Sequence, residues 1–308
     1  MTAANRVRCQ VHTTGSLLIL SLAAWGLAVV HAPPAGAAFP GTNGRIAFDA
    51  AIDLDYDLYV VNPSGTRMRR MFDTPSNEYE PAWSPDSSRV AFSADRSGTR
   101  DIYAADPDGT GLLQLTSGTA TDFDPAWSAD GTQVVFTRLD VGYSLMVVDA
   151  DGSNLQTLLH ASAFEAKYSP DGTRIAFSDG NDIAVMNSDG SGLTRLTNTD
   201  DYDFSPDWSP DGSQIVFSSN RNGFTPSSYY LYTIRSDGTG LIQLTSGYVF
   251  DAGPSWSPDG RLIAFGRDTT PDNGDTGIDL YVLEVAGGSI KQITSTSAFE
   301  NNPDWQSR

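Results

Sequence analysis

The chain has 308 residues, with 38 Asp+Glu against 19 Lys+Arg and a net charge of −19 at neutral pH. That balance argues against nucleic-acid binding, because carboxylates repel phosphate and few cations are present to displace its counterions. Only two lysines occur, Lys167 and Lys291, so no basic arm for anionic lipid exists, while 39% hydrophobic and 10% aromatic residues exclude wholesale disorder.

Arg6 and Arg8 are followed by an apolar run from Ser16 to Val30, then by PPAGA ending Ala35-Gly36-Ala37. A basic start, a short apolar core and an A-x-A site read as a signal peptide over residues 1–37, cleaved after Ala37. The run of 15 residues falls short of the roughly 20 that a spanning helix needs. The mature domain, 38–308, is therefore expected to be secreted or periplasmic and not membrane-inserted. The alternative is anchoring by an uncleaved N-terminal helix. Cys9 lies ahead of the apolar run, and beyond residue 37 there is no cysteine and a single histidine, His160. Disulfides, thiol catalysis and a His-based zinc site are excluded for that domain.

From residue 43 onward one segment recurs. NGRIAF (43–48) is followed by PAWSPDSSRVAF (81–92), PAWSADGTQVVF (125–136), AKYSPDGTRIAF (166–177), PDWSPDGSQIVF (206–217) and PSWSPDGRLIAF (254–265). The aromatic anchors Trp83, Trp127, Tyr168, Trp208, Trp256 and Trp305 are spaced 44, 41, 40, 48 and 49 residues apart. Each period holds four short apolar runs, as in PAWS, RVAFS, DIYAAD and LLQLT of residues 81–116. Gly-, Pro- and Asp-rich breaks separate the runs, which predicts a four-stranded antiparallel meander per repeat. The turns NPSG (62–65), DPDG (106–109), DADG (149–152), NSDG (187–190) and RSDG (235–238) place Gly where positive φ is required.

A lone four-stranded sheet cannot bury both faces, but six packed around an axis can. The expected fold is all-β: a six-bladed β-propeller of four-stranded antiparallel blades, each anchor wedged between neighbouring blades. The C-terminal Trp305 strand is expected to complete the N-terminal blade, whose other strands lie in residues 44–72, and so close the ring. The run P-x-W-S-P-D-G-x-x-I-A-F, followed by D-I-Y, D-G and Q-L-T, resembles the WD-repeat-like blades of TolB-type propellers over nearly all of 39–308. The resemblance implies a role in the bacterial cell envelope. The family's namesake is a periplasmic member of an envelope complex and carries an additional N-terminal α/β domain, to which no segment here is similar.

On such a disc the WSPDG and DG turns share one face. The opposite face carries hairpin loops that differ between repeats: DLDYD (53–57), DRSGTR (95–100), FTPSS (224–228) and DTTPDNGDTG (268–277). Variable loops on a rigid scaffold are where binding usually resides. Five residues before each anchor stand Glu78, Asp122, Ala163, Asp203, Asp251 and Glu300; three before it stand Glu80, Asp124, Glu165, Ser205, Gly253 and Asn302. The eight carboxylates Glu78, Glu80, Asp122, Asp124, Glu165, Asp203, Asp251 and Glu300 are thus the candidate ligand- or partner-binding residues at one mouth of the channel. The competing structural account is that each caps backbone N–H groups. Arg96, Arg221 and Arg267 follow the second strand at similar offsets and are candidates to pair with these acids. The fourth repeat departs most, with Tyr168 for Trp, Lys167 before it and Ala163 in the acidic position.

No residue is assigned as catalytic or as a metal ligand. His160 falls at the end of an outermost strand, away from the loop face. The expected function is a non-catalytic protein-binding or scaffold module, monomeric, whose partner is a protein or glycan of the envelope. The alternatives are a carboxylate-dependent polysaccharide hydrolase or lyase and a propeller with a structural cation in its channel. Ca2+ is the ion considered, either there or at the Asp53-Asp55-Asp57 loop. Tyr79, Phe123, Tyr202, Phe224 and Tyr248 are the aromatics expected to serve either binding reading by stacking.

Overall fold

The computed structural model describes residues 39–308 except 53, 54, 73, 224, 226 and 272–276. The expected signal peptide, Asp53, Phe224 and part of the 268–277 loop lie outside the described residues. The strands form six four-stranded antiparallel sheets, five of them continuous meanders. The innermost strands of blades 2 to 6 are Glu78–Trp83, Thr121–Trp127, Ala163–Tyr168, Asp203–Trp208 and Phe250–Trp256. Blade 1 is built from both ends of the domain. Its innermost strand is Glu300–Ser307, paired with Asn43–Ala50, then Asp57–Val61 and Arg69–Arg70. Ile46 faces Trp305 across this seam and Ala47 faces Asp304. Beyond the strands, Thr42 and Arg308 exchange backbone hydrogen bonds of 2.8 and 2.9 Å.

Alternation along the strands builds the core. The Phe of each second strand (Phe48, Phe92, Phe136, Phe177, Phe217, Phe265) is fully buried. Each aromatic anchor packs on the face of the preceding blade. Trp127 joins Ala91, Ile102 and Ala104 of blade 2, while Trp305 joins Ala264, Leu280 and Val282 of blade 6. The indole N–H groups of Trp127, Trp208 and Trp305 each donate at 3.1 Å to a carbonyl of the preceding blade: Ala82, Lys167 and Ser255. These bonds hold neighbouring blades together where no backbone ladder runs between them. The outermost strands of blades 1, 2, 4 and 5 are only two residues long, which limits edge-to-edge association.

Every innermost strand breaks its ladder between the fourth residue before the anchor and the anchor itself. At each break the third residue before the anchor adopts a left-handed conformation: Glu80, Asp124, Glu165, Ser205, Gly253 and Asn302, with φ between 52° and 58°. A non-glycine residue in this region is strained and persists where its surroundings hold it. Such bulges redirect side chains, and here they decide which carboxylates see the axis.

Candidate functional site

Aromatic side chains ring the mouth: Tyr56 against Tyr79 at 4.9 Å, Tyr143 between Phe123 and Phe164 at 6.2 and 5.8 Å, and Tyr229 between Phe204 and Phe250 at 5.3 and 5.2 Å. Arg100 continues the ring, its guanidinium 4.3 Å from the Tyr79 centroid and 5.7 Å from that of Phe123. Around this collar Tyr202, Tyr248 and Phe299 are exposed, and Val141 is fully so.

The eight candidate carboxylates separate into two sets. Those five residues before the anchors are buried inside the blades, and four of them are paired there with arginines. Glu78 is paired with Arg96 at 2.7 Å, Asp203 with Arg221, and Asp122 and Asp251 bidentately with Arg138 and Arg267 at 2.6–2.8 Å. Glu300 accepts hydrogen bonds from the Thr294 and Thr296 hydroxyls. Burial raises Glu78 to about 7, against the opposing effects of Thr74 and Arg96. Arg138 was not singled out from the sequence, although it stands at the same place in its strand as Arg267, eleven residues after the anchor.

The carboxylates three residues before the anchors reach the axis, where they clamp one blade to the next. The Glu80 N–H donates to Asp49 Oδ1 at 3.3 Å, the Asp124 N–H to Glu80 Oε2 at 2.9 Å, and the Ser205 N–H to Glu165 Oε2 at 2.6 Å. In blade 3 a hydroxyl serves instead, the Glu165 N–H donating to Thr137 Oγ1 at 3.2 Å. Every acceptor belongs to the blade before the donor. Second-strand hydroxyls support the clamps, with Ser93 donating to Glu80 and Ser178 to Glu165, both at 2.8 Å. Asp49 joins this tier, bonded by the Asn302 amide. Burial raises Asp49 and Glu165 to about 7. Glu80 is also penalised by burial, but Arg100 and the Asp124 N–H outweigh that and hold it below the usual carboxylate range.

One step deeper stand the residues immediately before the anchors: Ala82, Ala126, Lys167, Asp207, Ser255 and Asp304, all buried. Asp207 Oδ2 accepts the Trp256 N–H at 2.7 Å and Asp304 Oδ2 the Trp83 N–H at 2.6 Å. The indole N–H groups of those same two tryptophans have no hydrogen-bond partner. Where the preceding blade offers a carboxylate here, the main-chain amide is satisfied and the indole is not. This tier was missed in sequence, although PDW against PAW and PSW marks it. At the turn face, Phe39 packs among Ala82 and Trp127, while Pro40 lines a 430 Å³ cavity with Pro170, Arg174 and Pro210. Residues 39–40 thus lie across that end of the channel.

His160 Nδ1 lies 3.1 Å from the Ser144 hydroxyl at the outer rim, away from the axis. Asp57 pairs with Arg70. Among the described residues no group of three or more His, Cys, Asp or Glu side chains is arranged to hold a metal ion. Among them, too, no helix is long and apolar enough to cross a membrane.

Comparison with known proteins agrees with this architecture. Two segments, 28–158 and 138–308, match the family described as the TolB beta propeller domain. The Tol-Pal system protein TolB of Anaeromyxobacter dehalogenans (strain 2CP-1) is 51% identical over 53 residues, covering 16% of this chain and 12% of that protein. The chain therefore matches only a small part of this curated relative. Among solved structures, TolB from Acinetobacter baumannii superposes with a TM-score of 0.74 at 21% identity, over 86% of this chain and 67% of that one. A putative TolB from Agrobacterium tumefaciens superposes at 0.69 with 20% identity, over 85% and 98%. These superpositions concern the fold, whereas the family match spans nearly the whole described region: the chain belongs to the TolB beta propeller domain family.

Proposed function

We propose that this propeller is an exported, non-catalytic protein-binding module of the cell envelope, and that its partner docks on the loop face over the channel mouth. The observation that carries the reading is the aromatic collar. Aromatic and arginine side chains at a concave, rigid rim are the residue types that dominate binding energy at interfaces. The collar adjoins exposed Tyr202, Tyr248 and Phe299. The opposite face is built of repeated tight turns and is crossed by Phe39 and Pro40, which favours docking at the mouth rather than threading through the disc. Family membership, and the likeness of a short segment to a Tol-Pal system protein, support a periplasmic setting.

In this reading the acidic residues divide the work. The axial set, Glu80, Asp124 and Glu165, lines the throat with buried carboxyl groups, of which burial raises Asp124 and Glu165 above the usual carboxylate range, and favours a partner segment with a hydrogen-bonding tip. The set within the blades, Glu78, Asp122, Asp203, Asp251 and Glu300, fixes the loops that surround it. The test is capture from envelope extract on the immobilised domain, comparing the intact protein with a Tyr202→Ala/Tyr248→Ala/Phe299→Ala variant. These side chains are exposed, so the variant keeps its fold and should lose the captured protein. Retention of the same protein by the variant would place docking elsewhere. Capture of envelope polysaccharide instead would favour a glycan partner.

A further inference from the structure

Charge on the face of tight turns is uneven. Blades 2 to 6 each carry an Asp in the first of their turns: Asp86, Asp130, Asp171, Asp211 and Asp259. Blades 2 to 5 carry another just before the glycine of the second: Asp108, Asp151, Asp189 and Asp237. Blade 1 has neither, since its first turn is replaced by the meeting of the two chain ends and Ser64 stands in its second. At this same end of blade 1 stand Arg45, Arg67, Arg69 and Arg308. Gln306 Oε1 gathers two of them, accepting the Arg45 N–H and the Arg308 Nε–H, each at 3.3 Å. Arg69 is paired with Val60, which is paired with Ala47, two residues beyond Arg45, so Arg45 and Arg69 project from one face of the sheet. From blade 6, Lys291 Nζ donates to the Ser64 carbonyl at 3.1 Å. All five cations except Arg45 are exposed. Among the described residues none of the five pairs with a carboxylate, whereas Arg70, next along the strand, pairs with Asp57. The terminal oxygen of Arg308 is engaged by the Thr42 N–H and hydroxyl, both at 2.8 Å, and the Asp259 carboxylate by the Ser257 hydroxyl and the Arg261 N–H.

These arginines also depart from the repeat. Two residues after the turn glycine, blades 2 to 5 have Gly111, Asn154, Gly192 and Gly240, all left-handed, and Arg67 adopts the same conformation at φ 58°. A long side chain there carries a backbone cost that glycine avoids. Arg45 stands where Arg89 and Arg174 donate to backbone carbonyls, yet among the described residues its own guanidinium makes no hydrogen bond. Burial, then the charges of Arg69, Arg308 and Arg67, draw its pKa below the ordinary arginine range. Like charges gathered at a cost and left unpaired mark a surface that an external anion neutralises. The spacing selects the anion. The cations reach from the innermost strand of blade 1 to the outermost, about 14 Å at about 4.8 Å per strand. A single phosphate group covers only part of that width. An extended polypeptide, rising about 3.4 Å per residue, crosses it in about four or five residues, and its carboxylates match the guanidinium fork. An anionic membrane fits less well, because the chain as a whole carries a charge of −19.

We propose that this end of blade 1 is a second interaction surface, on which an extended Asp/Glu-rich polypeptide segment binds across Arg45, Arg67, Arg69, Arg308 and Lys291. The inference does not rest on the docking reading, which concerns the opposite face.

The experiment uses the full chain and a fluorescein-labelled hexaglutamate peptide, followed by fluorescence anisotropy at low ionic strength. The variants Arg67→Gly and Arg45→Gln/Arg67→Gly/Arg69→Gln take residues that other blades carry at the same positions, as in Gln133, Gly111 and Gln156. The intact protein should bind the peptide, and added salt should weaken that binding. Arg67→Gly should weaken it about threefold and the triple variant about tenfold or more. Arg235→Gln, which removes an exposed arginine of blade 5, and the collar variant Tyr202→Ala/Tyr248→Ala/Phe299→Ala should leave it unchanged. Arg67→Gly should melt with the intact protein, because glycine is the repeat's own residue there. If it melts well below, Arg67 serves the fold and the proposal is overturned. Failure of hexaglutamate to bind the intact chain would also overturn it, as would equal weakening by Arg235→Gln. Displacement of the peptide by inorganic phosphate as effectively as by unlabelled hexaglutamate would assign the surface to phosphate instead. Sedimentation with phosphatidylglycerol vesicles that the triple variant loses would assign it to lipid. Either result refutes the proposal.

Discussion

Removal of residues 303–308 tests ring closure most directly. The deletion takes away Trp305, 3% exposed and packed on blade 6. Truncating a buried tryptophan to alanine alone costs about 3–5 kcal/mol. Also lost are the Asp304 cap on the Trp83 N–H at 2.6 Å and the paired Thr42–Arg308 backbone bonds. A hydrogen bond to a charged group adds about 1.5–3 kcal/mol. The sum is comparable with the whole stability of an ordinary domain, about 5–15 kcal/mol. At roughly 2–4 °C per kcal/mol for chains of this size, Trp305→Ala alone should lower Tm by roughly 6–20 °C, and the deletion should leave little cooperative transition. Far-UV circular dichroism on heating reads both. A permuted chain carrying residues 299–308 ahead of Phe39 through a short flexible linker should regain the transition, because Thr42 and Arg308 are hydrogen-bonded neighbours. If the deleted protein melts together with the intact one, the terminal strand does not close the disc and the placement of the axial residues fails with it.

Further outcomes are expected of the buried charges. Arg138→Met strands the Asp122 carboxylate, 1% exposed, and should cost about 3–5 kcal/mol in urea unfolding, whereas Arg138→Met/Asp122→Leu should recover most of it; equal losses in both would mean that the pair acts by shape alone. Asp49, Glu78 and Glu165 keep their protons up to about pH 7 when folded, but release them near pH 4 when unfolded. The folded chain thus binds more protons at these three groups between those values, so the stability they contribute is fully present below about pH 4 and is lost as pH rises towards 7. Asp49→Asn should flatten that slope, and a stability rising from pH 5 to 8 would contradict it. The turn carboxylates Asp86, Asp130, Asp171 and Asp211 are held low mainly by hydrogen bonds from neighbouring Ser, Thr and backbone N–H groups, so their stabilisation fades only below about pH 4.

The repeat itself was legible because its signals are local. Anchors at intervals of 40–49 residues, alternating apolar runs and Asp-Gly turns each reflect a single strand or hairpin, and all six blades follow from them. The offset between Trp305 and the Trp-less start at Asn43 likewise announced the shared blade. The channel was less legible, because period-two alternation puts residues three and five before the anchor on one face. The left-handed residue in each innermost strand breaks that parity and sends Glu78 and Glu80 to different surroundings. The column did hold a trace of this: Gly253 and Asn302 are residue types at home at positive φ. Lys167 was noticed only as one of the departures of the fourth repeat, beside Tyr168 and Ala163. The carboxylate acting on it most strongly is Asp304, more than 130 residues away in sequence and directly across the ring, a relation no local reading supplies.

The seam joining Thr42 to Arg308 has a practical corollary. Both described chain ends leave the disc on the side of the tight turns. A support coupled through Arg308 therefore grips the underside and presents the collar to solution. Fusions made there should report on capture without masking the surface that performs it.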